Sequence, residues 1–171
     1  MFIIMKRKTI KKYPKKYVPT KLTNKDKKTQ KKMIDKSRQM YKQGKYFTRK
    51  KVASYDNKTS PHILNARKIY GVEKIIPSQE LAIKTGCSIE ALDKIVKKGE
   101  GAYYSSGSRP NQTGHSWGYA RMASAITAGK AAAVDYNILK EGCKSSSKAL
   151  KLANKSRKKN NFGQRKVPKI T

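Results

Sequence analysis

Between residues 101 and 121 the chain reads GAYYSSGSRPNQTGHSWGYAR, and the side chains best suited to chemistry gather there. Ser105, Ser106, Ser108, His115 and Ser116, with Asp135 downstream, are the ingredients of a hydrolase. A hydrolytic triad needs one nucleophile, one base and one orienting carboxylate in hydrogen-bond order. Here the serines are numerous and interchangeable, and no nucleophile elbow is written. A nuclease needs acids clustered around metal ions, whereas the 10 acids of this chain are scattered singly. His62 and His115 have no Cys or His partner at ligand spacing. The expectation is therefore no catalytic residue, no metal ligand, no cofactor and no small-molecule substrate.

The stretch is better suited to holding an anion. SSGSRPNQTGHS runs into a helix whose N-cap is Thr113 or Ser116. Gly107, Ser108, Arg109, Gln112 and Thr113 would offer backbone N–H groups and a guanidinium to a phosphate or carboxylate. In the alternative, Arg109 pairs internally with Asp135 or Glu100. Tyr103, Tyr104 and Trp117, stiffened by Pro110, also make this a packed loop. The two roles combine in a structural loop that presents an anion-binding edge.

A second group of candidates lies in SQELAIKTGCSIEALDKIVKKG (78–99). Ser78 and Ser88 read as caps, Gly86 as a left-handed turn and Gly99 as the end of the second helix. With Ala82, Leu92 and Ile95 inward, this is a helix-turn-helix-like unit. Ser88, Lys94, Lys97 and Lys98 are its candidate nucleic-acid contacts. They suit phosphates, because no Asn, Gln or Arg on that face could read base edges.

Four segments must position these groups. Residues 1–22, with two prolines among lysine pairs, read as an extended basic arm too poor in apolar area to order itself. Residues 23–58 form a basic helix and linker: Thr23 caps, Met33, Ile34, Met40 and Tyr41 make a narrow stripe, Gly44 ends it, and a short strand follows at 46–52. Residues 59–143 are the helical core, holding the helix-turn-helix-like unit (78–99) and the Gly/Ser/Arg loop (99–116). Its other helices are a Ser60-Pro61 helix ending at Gly71, one marked by Trp117, Ala120 and Ile126 and ending at Gly129, and one through Val134, Ile138 and Leu139 ending near Gly142. Residues 144–171 are a Ser147-capped basic helix and tail. Tyr13, Tyr17, Val18, Phe162 and Ile170 are expected to anchor the arms on a neighbouring molecule. The fold class is mainly α: a small multi-helix domain flanked by extended polycationic arms.

Charge follows the same division. Residues 1–58 hold 21 Lys+Arg against 3 acids, a net +18; residues 59–143 net +4; residues 144–171 net +10, for +32 in all. Such a charge opposes compaction and suits a chain that meets a dense negative surface. Lys outnumbers Arg, which favours diffuse phosphate or carboxylate contacts over bidentate ones. Cys87 and Cys143 have no metal-like spacing and no secretory signal precedes them, so a reducing compartment is expected. MFIIMKRK is too short an apolar run for a signal peptide or membrane span, and nothing later reaches spanning length.

KGEGAYYSSGSRPNQTGHSWGYARMASAITAGKAAAVDYNILKEGC resembles an uncharacterised family of basic proteins in large nucleocytoplasmic DNA viruses, with relatives in some phages. The likeness extends back through YFTRKK, SPHILNARKIY and ELAIKTGCSIEALDKIVKKG. It implies a viral protein, made in the host cytoplasm or nucleus and carried in the virion, but no activity. Two functions follow. In the first, the protein is a minor capsid or inner-shell component whose arms bind acidic surfaces between major and other minor capsid proteins. In the second, it binds viral double-stranded DNA, condensing the genome or regulating transcription through the helix-turn-helix-like unit. The apolar anchors in the arms favour the first.

Overall fold

Hydroxyl side chains start most of the helices. The computed structural model describes residues 13–163 and, as backbone alone, 169–170. Thr23 caps α1 (Asn24–Lys42), Ser60 caps α2 (Pro61–Tyr70), Ser78 caps α3 (Gln79–Thr85) and Ser88 caps α4 (Ile89–Ser105). Thr113 caps α5 (Gly114–Ala125) and Ser147 caps α8 (Lys148–Lys159). Each accepts a hydrogen bond from an otherwise orphaned N–H, an interaction generally worth ~1 kcal/mol. α6 (Lys130–Val134) and α7 (Tyr136–Gly142) have no side-chain cap and follow each other with only Asp135 between them. The one helix expected there is two. Gly71 and Gly86 leave their helices at φ 63° and 76°, as expected of glycine in the left-handed region.

α4 does not end at Gly99. It continues six residues to Ser105, and Gly99 and Gly101 lie inside it. The reason is packing: a Cβ on Gly99 would stand 2.6 Å from Gly118 Cα of α5, and one on Gly118 would stand 2.6 Å from the Val96 carbonyl oxygen. These glycines let two helix backbones touch, so their effect is tertiary. The segment expected to be a loop over 99–116 shrinks to residues 106–113.

Around this contact lies the main core, with Leu81, Leu92, Ile95, Met122, Ile126 and Leu139 fully buried. Each is worth roughly 2 kcal/mol relative to exposure. Tyr70 closes it from α2, its hydroxyl donating to the Ile126 carbonyl at 2.5 Å. On α2, Ala66 and Tyr70 are buried, whereas Leu64 remains 51% exposed.

A second, smaller core joins Tyr13, Tyr17, Val18, Leu22, Ile34 and Val52. Within the described residues, the N-terminal segment is therefore packed onto its own chain. Tyr13, Tyr17 and Val18 face α1 and the body rather than standing free as anchors. Tyr13 and Pro14 form β1 (Tyr13–Pro14), antiparallel to β2 (Lys169–Ile170) with Tyr13 opposite Ile170. Residues 1–12, 164–168 and 171, and the Ile170 side chain, lie outside the described residues. No strand forms at 46–52; the chain there is irregular. α1 buries Gln30, Ile34 and Ser37, a face polar enough to look like no face at all.

The two thiols are not free. Cys87 and Cys143 form a disulfide and an isolated antiparallel bridge, overturning the expectation of reduced cysteines. Their separation of 56 residues hid a proximity that only the packing of α7 against α4 creates.

Gly99→Ala should destabilise the fold by about 2 kcal/mol, since neither backbone can yield. Thermal unfolding should show a matching fall in Tm, while Gly101→Ala, whose added methyl would meet only Tyr41 Oη at 3.9 Å, should show little change.

Candidate anion-binding surface

The loop at 106–113 is held from beneath by Arg49, which is 6% exposed. Arg49 Nη1 donates to Ser37 Oγ at 3.0 Å and to the Tyr103 carbonyl at 2.8 Å, and Nη2 donates to Ser108 Oγ at 2.8 Å. Its guanidinium lies 3.8 Å from the centroid of the Tyr103 ring. The Tyr103 hydroxyl accepts from Arg49 N at 2.9 Å and donates to the Gln112 carbonyl at 3.1 Å. Burial lowers the Arg49 pKa, although a guanidinium remains charged throughout the physiological range.

The expected anion-binding residues are mostly consumed by this arrangement. Gly107, at φ 134°, lies against the Tyr17 ring, where a Cβ would come within 2.9 Å. Ser108 is fully buried and its hydroxyl donates to the Arg109 carbonyl at 2.7 Å. Gln112 bridges Asn57 and Ser116. Thr113 and Ser116 are both part of one capping box, each side chain accepting from the other's backbone N–H. Asn111, left-handed at φ 61°, accepts from Val52 N and donates to the carbonyls of Val52 and Tyr55. The Ser108 hydroxyl and the Asn111 amide are thus spent inside the loop, whereas Ser106 and Thr113 lie at its exposed surface.

Arg109 and Thr113 are the exposed members of the five, and Thr113 is engaged in its capping box. Asp135 and Glu100, the expected internal partners of Arg109, are taken by Arg121 and Lys98 and by His115. Arg109 instead sits in a field of like charge. Burial, then Arg109 and Lys130, lower the Lys16 pKa; burial, then Arg109 and Lys16, lower that of His62. Lys16 Nζ is also 5.6 Å from the centroids of both Tyr17 and Trp117. Lys16 and His62 thus lie near Arg109, and Lys130 lies near Lys16, so groups from four parts of the chain share one field. An arriving anion would relieve their mutual repulsion.

The α4 candidates divide. Ser88 Oγ is occupied in capping, accepting from Ala91 N. Lys94 is exposed. Lys97 pairs with Asp93 at 2.8 Å across one turn, an exposed contact that a phosphate could replace. Lys98 is committed: its Nζ is 2.7 Å from Asp135 Oδ1, whose carboxylate Arg121 also holds through Nε and Nη2 at 2.7 and 2.8 Å. Burial alone would raise the Asp135 pKa, but the bonds to Arg121 and Lys98 outweigh it and hold it below the usual carboxylate range.

The approach to α4 matters more than its side chains. Ser88 N donates to the Gly142 carbonyl and Lys144 N to the Gly86 carbonyl. A Cβ on Gly86 would stand 2.6 Å from Ser147 Cβ, and one on Gly142 only 2.3 Å from Ala91 Cβ. Residues 142–147 therefore pack on the α3–α4 turn and on the Ala91 side of the first turn of α4, while Ser88 and Glu90 stay exposed. In a major-groove reader those N-terminal residues of the second helix meet the bases.

Arg49, Asn111, Arg121, Lys16 and His62 were not legible as site residues. An Asn after Arg-Pro is a turn signal, but the rest carry no local mark. Among the described residues no group of three His, Cys, Asp or Glu could hold a metal ion. No described helix is long and apolar enough to cross a membrane.

A family model described as a family of unknown function (DUF5824) matches residues 6–161. No curated protein and no solved structure matches the chain.

Asp135→Asn should cost about 3 kcal/mol, because Arg121 loses its charged partner at a buried site. The sign with pH follows from the lowered pKa. The stabilisation from Asp135 is present above the unfolded carboxylate pKa near ~4 and is lost as pH falls through the folded value. Chemical denaturation over an acid series should show a flatter acid limb in the variant than in the parent.

Proposed function

The chain belongs to the DUF5824 family, and we propose that it is a non-enzymatic structural protein whose basic faces lie against a polyanion and read charge rather than sequence. The setting suggested by the resemblance is the virion, assembled in the host cytoplasm or nucleus. The polyanion that fits best is the nucleic-acid backbone.

One observation carries this reading: cations stand outward on several faces at once, while the Ser108 hydroxyl and the Asn111 amide of the loop are spent on internal hydrogen bonds. Lys25, Lys28, Lys32, Lys36 and Lys42 are exposed along α1, and Lys148, Lys151, Lys155, Lys158 and Lys159 along α8, which has no acid. Such a distribution supports contact with phosphates on more than one side. Solvated ammonium groups on flexible stems suit diffuse backbone contact. The packing of residues 142–147 beside the start of α4 hinders its entry into a major groove and argues against base reading.

A second reading keeps the protein in the shell, against major and other minor capsid proteins. It draws on apolar exposure: Ile83 on α3 is 70% exposed and Leu64 on neighbouring α2 is 51% exposed. Phe162, 58% exposed beside Arg157, remains available as an anchor. Gentle opening of particles, followed by quantifying the protein in shell and genome fractions, separates the two. A fixed ratio to the major capsid protein in the shell favours this second reading.

For the first, affinity for short random-sequence duplexes should fall linearly in log–log form with salt, at a slope of ~0.9 per phosphate contacted. Reversing Lys148, Lys151 and Lys155 to Glu should weaken binding uniformly across sequences and reduce the slope by about 2 to 3. A salt-independent affinity, or one unchanged by the triple reversal, would remove α8 from the interface.

A further inference from the structure

Three tyrosine rings at the C-terminal end of α1 are left outside both cores. Tyr46 is 70% exposed and Tyr41 39% exposed. The Tyr46 ring lies 5.0 Å from Tyr104 and 6.2 Å from Tyr41, tilted by 51° to each. The floor of this cluster is fixed. Tyr104 packs edge-on against buried Tyr103 at 4.9 Å, its carbonyl accepts from Ser37 Oγ at 2.9 Å, and Gly114 leaves room for its hydroxyl. Adjoining exposed aromatics of this size call for an explanation that the core does not supply.

The charge around them is one-sided. Residues 38–51 hold 6 Lys+Arg and no acid. Lys42 follows Tyr41 and Lys45 precedes Tyr46, and both are exposed, as is Lys50. An open trough along α1 continues the cationic path through Lys32, Lys36 and Arg38, with Asp35 its one acid, already accepting from the Tyr13 hydroxyl. An apolar protein face would fit the rings but not the lysines. An acidic peptide would fit the lysines but not the rings. A strand of unpaired nucleotides fits both, because bases stack on aromatic faces while phosphates meet cations.

We propose that Tyr41, Tyr46 and Tyr104 form a base-stacking platform for single-stranded nucleic acid, with Lys42, Lys45 and Lys50 meeting the phosphates. This rests on the polyanion reading above and adds the strandedness of the ligand. In a duplex the bases are already stacked on one another, so a duplex gains from the lysines alone.

The test uses the full chain with three probes: oligo-dT, a duplex of the same length, and poly-glutamate as an anion without rings. Tyr46→Ala should weaken oligo-dT binding on the order of tenfold. It should leave duplex and poly-glutamate affinities, their salt slopes and the Tm unchanged, since Tyr46 is 70% exposed and its ring contacts, to Tyr41 and Tyr104, lie at the surface. Tyr46→Trp should restore or exceed the parent affinity for oligo-dT. If all three probes bind with parent-like salt slopes but Tyr46→Ala changes none of them, or all equally, the platform is overturned and the polyanion reading stands. If the parent binds neither nucleic acid, both fall.

Discussion

A guanidinium buried among neutral partners is the constraint on which the architecture turns. Arg49 is held by the Ser37 hydroxyl, the Tyr103 carbonyl, the Ser108 hydroxyl and the face of the Tyr103 ring. Desolvating a cation is costly, and only a complete set of oriented dipoles offsets it. That requirement fixes α1, α4, the irregular segment around Arg49 and the loop at 106–113 in one mutual register. The Gly107 backbone, the left-handed Asn111 and the Tyr17 ring then have only one arrangement left to them. A loop so hydroxyl-rich that it suggested catalysis is explained by the cation beneath it.

The same logic shows what could be read from the chain alone. Caps were legible, because Thr23, Ser60, Ser78, Ser88 and Ser147 act within four residues and need no tertiary knowledge. Gly99 was misread because a glycine's local meaning is termination, whereas here it permits contact with Gly118. Tyr13, Tyr17 and Val18 were hidden by the lysines between them: composition suggests an unordered arm, yet three apolar side chains at 3–7% exposure suffice once α1 and Trp117 receive them. Arg109 is legible as a cation, but whether Asp135 or Glu100 pairs with it is not, since that depends on where Arg121, Lys98 and His115 arrive. The convergence of Lys16 and His62 on Arg109 belongs to no motif.

How a chain of net +32 folds at all is partly answered by its rings. Lys21, Lys36, Arg38 and Arg157 sit over Tyr55, Phe47, Tyr13 and Tyr136 at 4.3–5.2 Å. Each such contact contributes roughly 0.5–1 kcal/mol at an exposed site and keeps the stem of the side chain on the surface. Aromatics therefore serve the fold and its charge together. Tyr41, Tyr46 and Tyr104 stand apart because their rings face one another and the solvent.

The Cys87–Cys143 bond turns the centre of the molecule into a covalent ring. Inside it lie α4, α5, α6 and α7, the Gly99–Gly118 contact and the Asp135 triad; outside lie α1, α2, α3 and α8. A pull on the two ends of the chain would pass from Cys87 directly to Cys143. The enclosed helices would bear no tension, while the N-terminal segment, its paired backbone at 169–170 and α8 would peel away first. The protein is thus divided mechanically into a load path along its basic periphery and a slack, protected centre.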